Sequence, residues 1–523
     1  MLATVSNTAI SAESDASVIY VDINADEAEA DGSLEKPFKT IGEGITLALA
    51  STQDKVTINV ASGTYEIASP VSIYGKRTEQ TIELLGPNSE VPYNGSRSEE
   101  AIITYTDEAE KIYSSLFLVY ADNVSIKGFS LTNENAPLDQ YSNYSEARLS
   151  GNNIDFSNNI IISNADKFGV MYENENSSLK QNHGATIRGN YVSMPNLTSY
   201  AVYVQGHGAT VENNLVENSY SGIQIQPYHN EYDGVVQNNI FKVWGVGVYF
   251  NYSKLGAGDW TFLGNEIYPV ETTSDYESSI WGKNWQGFVV ETFGTEGSGN
   301  KLPTFVFNDN LIDATGYFGN DAWKELFGIY FRNNIKLDST FTIKGNSVKN
   351  VHYGVKDGID SETGYVMTDE TINALYDENT YYPCYEVVGT DVKFVAFDVQ
   401  FVNYDDTQIG ERQCVEPNKG AEAPEDPVRN GYTFVGWDKE FDEVVDNLIV
   451  TAKYEINTYT VIFKDHDGAE LDTQEFEYLG AATAPKDPTL EAYTFVGWDK
   501  EFDEVTEDLI VTAVFKKNVY TFI

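Results

Sequence analysis

Seven asparagines constrain this chain more than any other feature: Asn159, Asn190, Asn214, Asn239, Asn265, Asn310 and Asn346. Each follows one short run of β-forming residues and precedes another, so that GATIRGNYVSMPN, GATVENNLVENSYSGIQI, GVVQNNIFKVWGVGVYF, WTFLGNEIYPV and TFTIKGNSVKNVHYGV align on one another. Their separations are 31, 24, 25, 26, 45 and 36 residues. The short intervals match one coil of a β solenoid, and the long ones imply coils with inserted loops. Asparagine tolerates left-handed backbone geometry, and its amide can stack on the amides of the coils above and below. The neighbouring apolar residues Ile160, Leu215, Ile240, Ile267, Leu311 and Val348 are expected to line a continuous interior. Such a stack needs its ends covered. The spacing of Ile41, Ile45 and Leu49 in KPFKTIGEGITLALAS predicts an N-terminal capping helix.

The C-terminal part has a different rhythm. GYTFVGWDKEFDEV from Gly431 recurs as AYTFVGWDKEFDEV from Ala492, a shift of 61 positions, and LIVTAKYE and LIVTAVFK match at the same shift. Short alternating runs separated by DG, LG and AP read as strands and turns. Trp437 and Trp498 each follow a glycine and are expected to fold onto a small sheet as core rather than to stack on sugar. The final NVYTFI copies the start of NTYTVIF, which implies that the parent protein continues with further copies. Tyr459, Thr460, Val461, Phe463, Gly468, Leu471, Gln474, Tyr478, Gly480, Ala481, Pro485 and the run Phe495-Val496-Gly497-Trp498 resemble the Listeria–Bacteroides repeat family, the internalin B-repeats. The resemblance covers roughly 120 residues. It implies β-grasp-like tandem units on an exported, surface-linked protein and brings no catalytic residue with it.

The start of the chain carries a second resemblance. Tyr20-Val21-Asp22, Asp31-Gly32, Lys36-Pro37-Phe38, Thr40-Ile41 and Gly63-Thr64-Tyr65, with the asparagine coils, are similar to the pectate-lyase-like superfamily. This implies a mainly β chain with a right-handed parallel β-helix. The superfamily holds lyases, hydrolases, epimerases and adhesins, so it implies fold more than function. The expected organisation is a disordered leader or trimmed export region at 1–17, the β-helix at 18–384, a first repeat at 385–456, a second at 457–517 and the start of a third at 518–523.

Composition excludes some partners. With 33 Lys+Arg against 80 Asp+Glu, the 523-residue chain has a formal charge of -47 and repels phosphate, which argues against nucleic acid. No apolar run reaches the ~18 residues of a membrane helix, so no membrane insertion is expected in this segment. The first residues lack the basic and apolar regions of a signal peptide. Cys384 and Cys414 are the two cysteines, too few for a disulfide framework or a zinc pattern. Their spacing leaves open whether they pair.

The chemistry is less legible. A β-helix lyase needs a basic residue as proton acceptor beside carboxylates that hold calcium. Asp166, Lys167, Glu173, Glu175 and Arg188 are candidates, on the expectation that a one-coil offset brings such side chains together on one face. Gly206-His207-Gly208 matches one piece of a polygalacturonase-like hydrolase, with His207 as its candidate, but the remaining motifs of that class are missing. Asp22, Asp26 and Asp31 are candidate calcium ligands in an acidic turn without the spaced calcium-loop pattern. No other cofactor is implied. Aromatics in the presumed inserts, Trp281, Trp285, Trp323, Tyr317 and Phe318, are candidates for stacking on sugar rings, and Tyr220, Tyr228, His229 and Asp233 form a second candidate patch. The favoured reading is an extracellular or cell-wall-associated adhesin-like protein. Its β-helix would display loops to a glycan or host-surface receptor, with the repeats as spacer. A carbohydrate-active lyase or hydrolase is the alternative, and a purely structural stalk the third.

Overall fold

The computed structural model describes residues 16–520 apart from 76–78, 107–114, 134–144, 164–167, 174–182, 196–199, 206–207, 227–232, 253–257, 272–283, 293–303, 318–324, 333–340, 359–367 and 383. The chain divides into two units, Met1–Val395 and Ala396–Ile523.

The first unit is a parallel β-helix with three walls. The first wall is an 11-stranded sheet that starts at Val18–Val21 and Lys55–Val60 and ends at Phe305–Asn308 and Phe341–Lys344. Its alternation of apolar and polar residues sends one file of side chains inward. Ile58, Leu84, Ile126, Phe156, Ile187, Val211, Val236, Phe262, Phe307 and Ile343 stand in register, each buried. Near the far end this file becomes aromatic, and Phe288 stacks on Phe307 at 3.9 Å. The second wall includes Ile160–Ser163, Tyr191–Ser193, Glu266–Pro269 and Leu311–Asp313. The third includes Ser145–Ser150, Phe168–Tyr172, Tyr200–Val204, Asn284–Thr292 and Glu325–Arg332. Leu215–Ile225 and Ile240–Tyr252 run through the second wall and on into the third.

The asparagines stand at the corner between the first and second walls. Asn159 N–H donates to Asn190 Oδ1 at 2.9 Å, and the chain of donation continues through Asn214, Asn239, Asn265, Asn310 and Asn346. All seven are buried. An eighth rung, Asn379, accepts from Asn346 and extends the ladder beyond the sequence pattern. Two expectations need correction. The left-handed residue is the one before each ladder asparagine: Asn158, Gly189, Asn213, Asn238, Gly264, Asp309 and Gly345 all have φ between 54° and 69°. The ladder amide is then free to hydrogen-bond along the stack. In addition, Ile160, Leu215, Ile240 and Leu311 face outward and are half-buried, because the residue after the ladder asparagine points away from the core. Ile161, Val216, Phe241 and Ile312, one position later, fill the interior beside Ile267 and Val348.

The capping helix α1 (Ile41–Ala50) is present. Thr40 and Glu43 close a capping box at its start, and Ile41, Ile45, Leu47 and Ala48 are buried. At the other end of the solenoid, α2 (Asp369–Asp377) buries Ile372 and Leu375 in the same core. The residues after Cys384 still belong to the first unit, since Tyr385 and Val392 are part of that core. Neither of the two cysteines is free.

The second unit holds the repeats. In the second copy the sheet order is Glu470–Glu477, Thr458–Lys464, Leu509–Lys517, Tyr493–Trp498, with the central pair parallel and the outer pairs antiparallel. The first copy repeats this pairing with Gln408–Val415, the later part of Asp391–Val402, Leu448–Ile456 and Tyr432–Trp437. Both tryptophans pack as core residues, Trp437 at 4.8 Å from Phe401 and Trp498 at 5.0 Å from Phe463. The copies differ at one support. Arg429 lies 3.6 Å over Tyr432 and 3.9 Å over Tyr404, where the 61-residue shift places Leu490 in the second copy.

Candidate functional site

The third wall is built by a second repeat, a small residue followed by apolar–variable–apolar: Gly169-Val170-Met171-Tyr172, Ala201-Val202-Tyr203-Val204, Gly222-Ile223-Gln224-Ile225, Gly247-Val248-Tyr249-Phe250, Gly287-Phe288-Val289-Val290 and Gly328-Ile329-Tyr330-Phe331. The apolar positions face inward and are buried. The small residue is dictated by crowding at the corner. A Cβ on Gly247 would lie 2.2 Å from Ile267 Cγ2 and 2.6 Å from the Gly287 carbonyl, and one on Gly287 would lie 2.7 Å from the Gly328 carbonyl. The variable position faces out, yet in five of the six it too is covered: Met171, Tyr203, Gln224, Tyr249 and Val289 are buried, and Tyr330 is half-buried.

Two outer aromatic clusters result. Phe168, Met171 and Tyr203 form one, with Phe168 stacked on Tyr203 at 4.7 Å. Tyr220, Trp244, Val246, Tyr249 and Val289 form the other, with Tyr220 edge-on to Trp244 at 4.8 Å. Beside the second cluster is a small cleft lined by Tyr200, Tyr220, Val246, Tyr249, Gln286 and Arg332. Beneath its polar end, Glu291 is fully buried, accepts a hydrogen bond from the Tyr249 hydroxyl and pairs with Arg332 at 3.6 Å. Asn251 Nδ2 donates to the same hydroxyl at 3.1 Å. Burial, and then the hydrogen bond to Glu291, push the Tyr249 hydroxyl above the usual tyrosine range. Tyr249 is therefore a fixed donor at neutral pH, and the site pairs one cation with one carboxylate against aromatic faces.

Elsewhere on this wall, Glu146 is completely buried, and burial pushes its carboxyl up to about 7 against hydrogen bonds from Ser163 and Asn133. Its Oε2 has no hydrogen-bond partner.

The structure separates several of the sequence candidates. Glu173 ends a strand of the third wall and pairs with Arg148. Arg188 ends a strand of the first wall, 3.7 Å from Glu212. The expectation that a coil offset brings Glu173 and Arg188 together is thus corrected, because they stand on different walls. Trp285 is also corrected as a stacking surface. It lies inside the strand Asn284–Thr292, is fully buried in the core and donates its indole N–H to the Val243 carbonyl at 3.0 Å. Tyr317 packs against the same core. Asp233 is exposed at the start of a first-wall strand and accepts from Asp259 N–H. Asp166, Lys167, Glu175, His207, Trp281, Phe318, Trp323, Tyr228 and His229 lie outside the described residues.

Asp22, Asp26 and Asp31 each accept the backbone N–H two residues on, at 2.9, 3.0 and 2.9 Å, as turn residues do. Among the described residues, three metal-ligating side chains converge instead at Asp465, His466 and Asp467, in the hairpin turn of the second repeat. Also among the described residues, no helix is long and apolar enough to cross a membrane, a statement that leaves strand-built spans aside.

Comparison with known proteins finds two family models. One, described as "Protein of unknown function (DUF1565)", matches residues 23–285; the other, described as "Listeria-Bacteroides repeat domain", matches 397–453 and 459–519. A putative membrane protein of Evansella cellulosilytica is 33% identical over 120 residues, 19% of this chain and 18% of that protein. A putative Gly-rich membrane protein of the same organism is 27% identical over 266 residues, 43% of this chain and 30% of that one. Internalin H of Listeria monocytogenes is 35% identical over 95 residues, 16% of this chain and 17% of that one. The matches therefore span less than a third of each relative. Among solved structures, pectate lyase Pel9A is 10% identical, with 66% of this chain and 78% of that one covered and a TM-score of 0.36. The complex of XylC with xylose is 10% identical, covering 76% and 98% at a TM-score of 0.38. A rhamnogalacturonan lyase is 13% identical, covering 71% and 89% at 0.29.

Proposed function

The chain belongs to the family described as Protein of unknown function (DUF1565) and carries two Listeria-Bacteroides repeat domains, and from that premise we propose that it is a cell-surface protein whose third solenoid wall attaches to glycan while the repeats act as a spacer. The observation that carries this reading is the cleft where Tyr200, Tyr220 and Tyr249 meet Gln286 and Arg332. Flat apolar rings with a few fixed polar groups are what sugar rings require of a protein surface. The similarity to membrane-protein and internalin sequences supports a surface location. The second repeat has a core of its own around Val461, Phe463, Val505 and Val511, and a unit of that kind can be multiplied in tandem to set reach without altering the solenoid.

The test is a glycan array probed with the full chain and with a folded Tyr220→Ala variant. Binding that drops at least tenfold in the variant is the expected result. Undiminished binding would remove the cleft from the reading. Silence across the array would leave a stalk, and new reducing ends or unsaturated sugars in the probed glycans would make the wall an active site instead of an attachment site.

A further inference from the structure

The two repeats, both in the second unit, are joined by a single residue. The last strand of the first copy ends at Ile456 and the first strand of the second begins at Thr458, so Asn457 alone is the linker. Each of its polar groups is bonded. Its N–H donates to the Gly431 carbonyl of the first copy at 2.9 Å, and its Oδ1 accepts from the Thr433 hydroxyl at 2.6 Å. Its carbonyl accepts from Tyr478 N–H of the second copy at 2.9 Å, and its Nδ2 donates to the Tyr459 hydroxyl at 3.3 Å. One pair of bonds holds the first copy and the other pair the second. A flexible linker leaves such groups to water.

A ring rests across this junction. A Cβ added to Gly431 would stand 2.0 Å from Tyr478 Cδ1 and 2.1 Å from its Cγ. Gly431 and Tyr432 are half-buried, whereas their counterparts Ala492 and Tyr493 are exposed. The sequence differences between the copies fall on the same spot. GYTFVGWDKEFDEV and AYTFVGWDKEFDEV differ only at Gly431 and Ala492, and the 61-residue shift aligns Tyr478 with Pro417. Glycine thus occurs on the copy that receives the ring, and tyrosine on the copy that supplies it. The turn itself does not demand glycine, because Ala492 occupies it at φ 67° against 74° for Gly431. The chain also leaves both copies alike: Asn518 N–H donates to the Ala492 carbonyl at 2.9 Å, and its Oδ1 accepts from the Thr494 hydroxyl at 2.6 Å. What glycine supplies at 431 is room for a close neighbour.

We infer that Gly431 and Tyr478 form a fixed joint between the repeats, in which Asn457 sets the pivot and the ring seated on the bare glycine sets the angle. The two repeats then move as one body instead of as beads on a tether, and the second adds a set distance and direction to the first. A tyrosine brought to Ala492 in the same pose would collide with its methyl group, so the seat belongs to this junction. The inference goes beyond the surface-attachment reading and holds whether or not the third wall binds glycan.

Pulsed electron spin resonance on the full chain tests this, with nitroxides at Glu440→Cys and Glu501→Cys, equivalent exposed sites in the two copies. Neither native cysteine is free to take label. The unmodified joint should give one narrow distance distribution. Gly431→Ala closes the seat and Tyr478→Ala removes the ring, and each should broaden the distribution about twofold or move its mean. Both variants should fold, since Ala492 shows that the turn accepts alanine and Tyr478 is only half-buried. Ala492→Gly should leave the distribution as it is. The inference is overturned if the chain with its joint intact is already as broad as the variants, if either variant reproduces its distribution, or if Ala492→Gly broadens it as much as Gly431→Ala does.

Discussion

The first and third walls of the solenoid come from the same coils, yet over the middle coils their outer faces differ. On the first wall the outward file runs Thr57, Glu83, Ser125, Asp155, Thr186, Thr210, Val235, Thr261, Val306, Thr342, each half-exposed. On the third wall the outward file is buried in the middle coils, at Met171, Tyr203, Gln224, Tyr249 and Val289, and half-buried on either side, at Ser72, Leu118, Arg148, Tyr330 and Lys356. Parallel sheets are ordinarily covered on both faces. The first wall escapes that rule because hydroxyls and charges can keep their water. The third wall obeys it, and its few charges are paired as a consequence: Arg148 with Glu173, and Arg332 with Glu291. The lesson is that apolar rings and desolvated polar groups come together where a solenoid's outer face has left water, which is where the proposed attachment site lies.

Substitutions can break this contrast. Tyr249→Ala should have the largest effect, a loss of about 4 kcal/mol by chemical denaturation, because it empties an aromatic position and leaves buried Glu291 without its phenol donor. A loss no greater than that of a first-wall control would erase the distinction. Next comes Glu146, whose carboxyl burial pushes up to about 7 from an ordinary value of 4.5. The folded state then holds a proton that the unfolded chain has released. Stability should fall as pH rises from about 4.5 through about 7, by something on the order of 3 kcal/mol, and the fall should vanish in Glu146→Gln. Melting curves across that window decide it; an unchanged profile in the variant would assign the slope elsewhere. Gly247→Ala should cost about 2 kcal/mol, since its Cβ meets the Gly287 carbonyl and Ile267. The smallest effect belongs to the first wall, where Thr210→Val should alter stability by less than about 0.5 kcal/mol. A change above 1 kcal/mol there would mean that this face is covered after all.

The ladder was legible because it is a local signal repeated many times: an asparagine at a coil interval, flanked by β-formers. Asn379 escaped notice because the left-handed residue that marks most rungs is missing there; Glu378 instead closes helix α2 in right-handed geometry. At Ile160, Leu215, Ile240 and Leu311 the inward residue is the next one along, whereas Ile267 and Val348 face inward as expected. Ile160 and Ile161 are chemically alike, and only the pleat decides which of them enters the core. Trp285 was misplaced for a related reason. A tryptophan after a Gly- and Ser-rich stretch reads as loop, but the strand begins at Asn284 and carries it inside. The cleft was the least legible. Its small–apolar–variable–apolar repeat is visible in the sequence, but the repeat specifies only the inward file, and Tyr220 alone among the cleft residues stood out beforehand.

Coil periodicity, the amide stack, the capping helix and the tandem sheets with their tryptophan cores follow from the sequence alone, because each depends on neighbours at fixed intervals along the chain. Which outer face loses its water, which carboxylate is buried beside which cation, and which buried oxygens are left without partners were decided only by the tertiary structure. Those properties depend on what lies across the coil and on the coils above and below, at distances in sequence that no local pattern encodes.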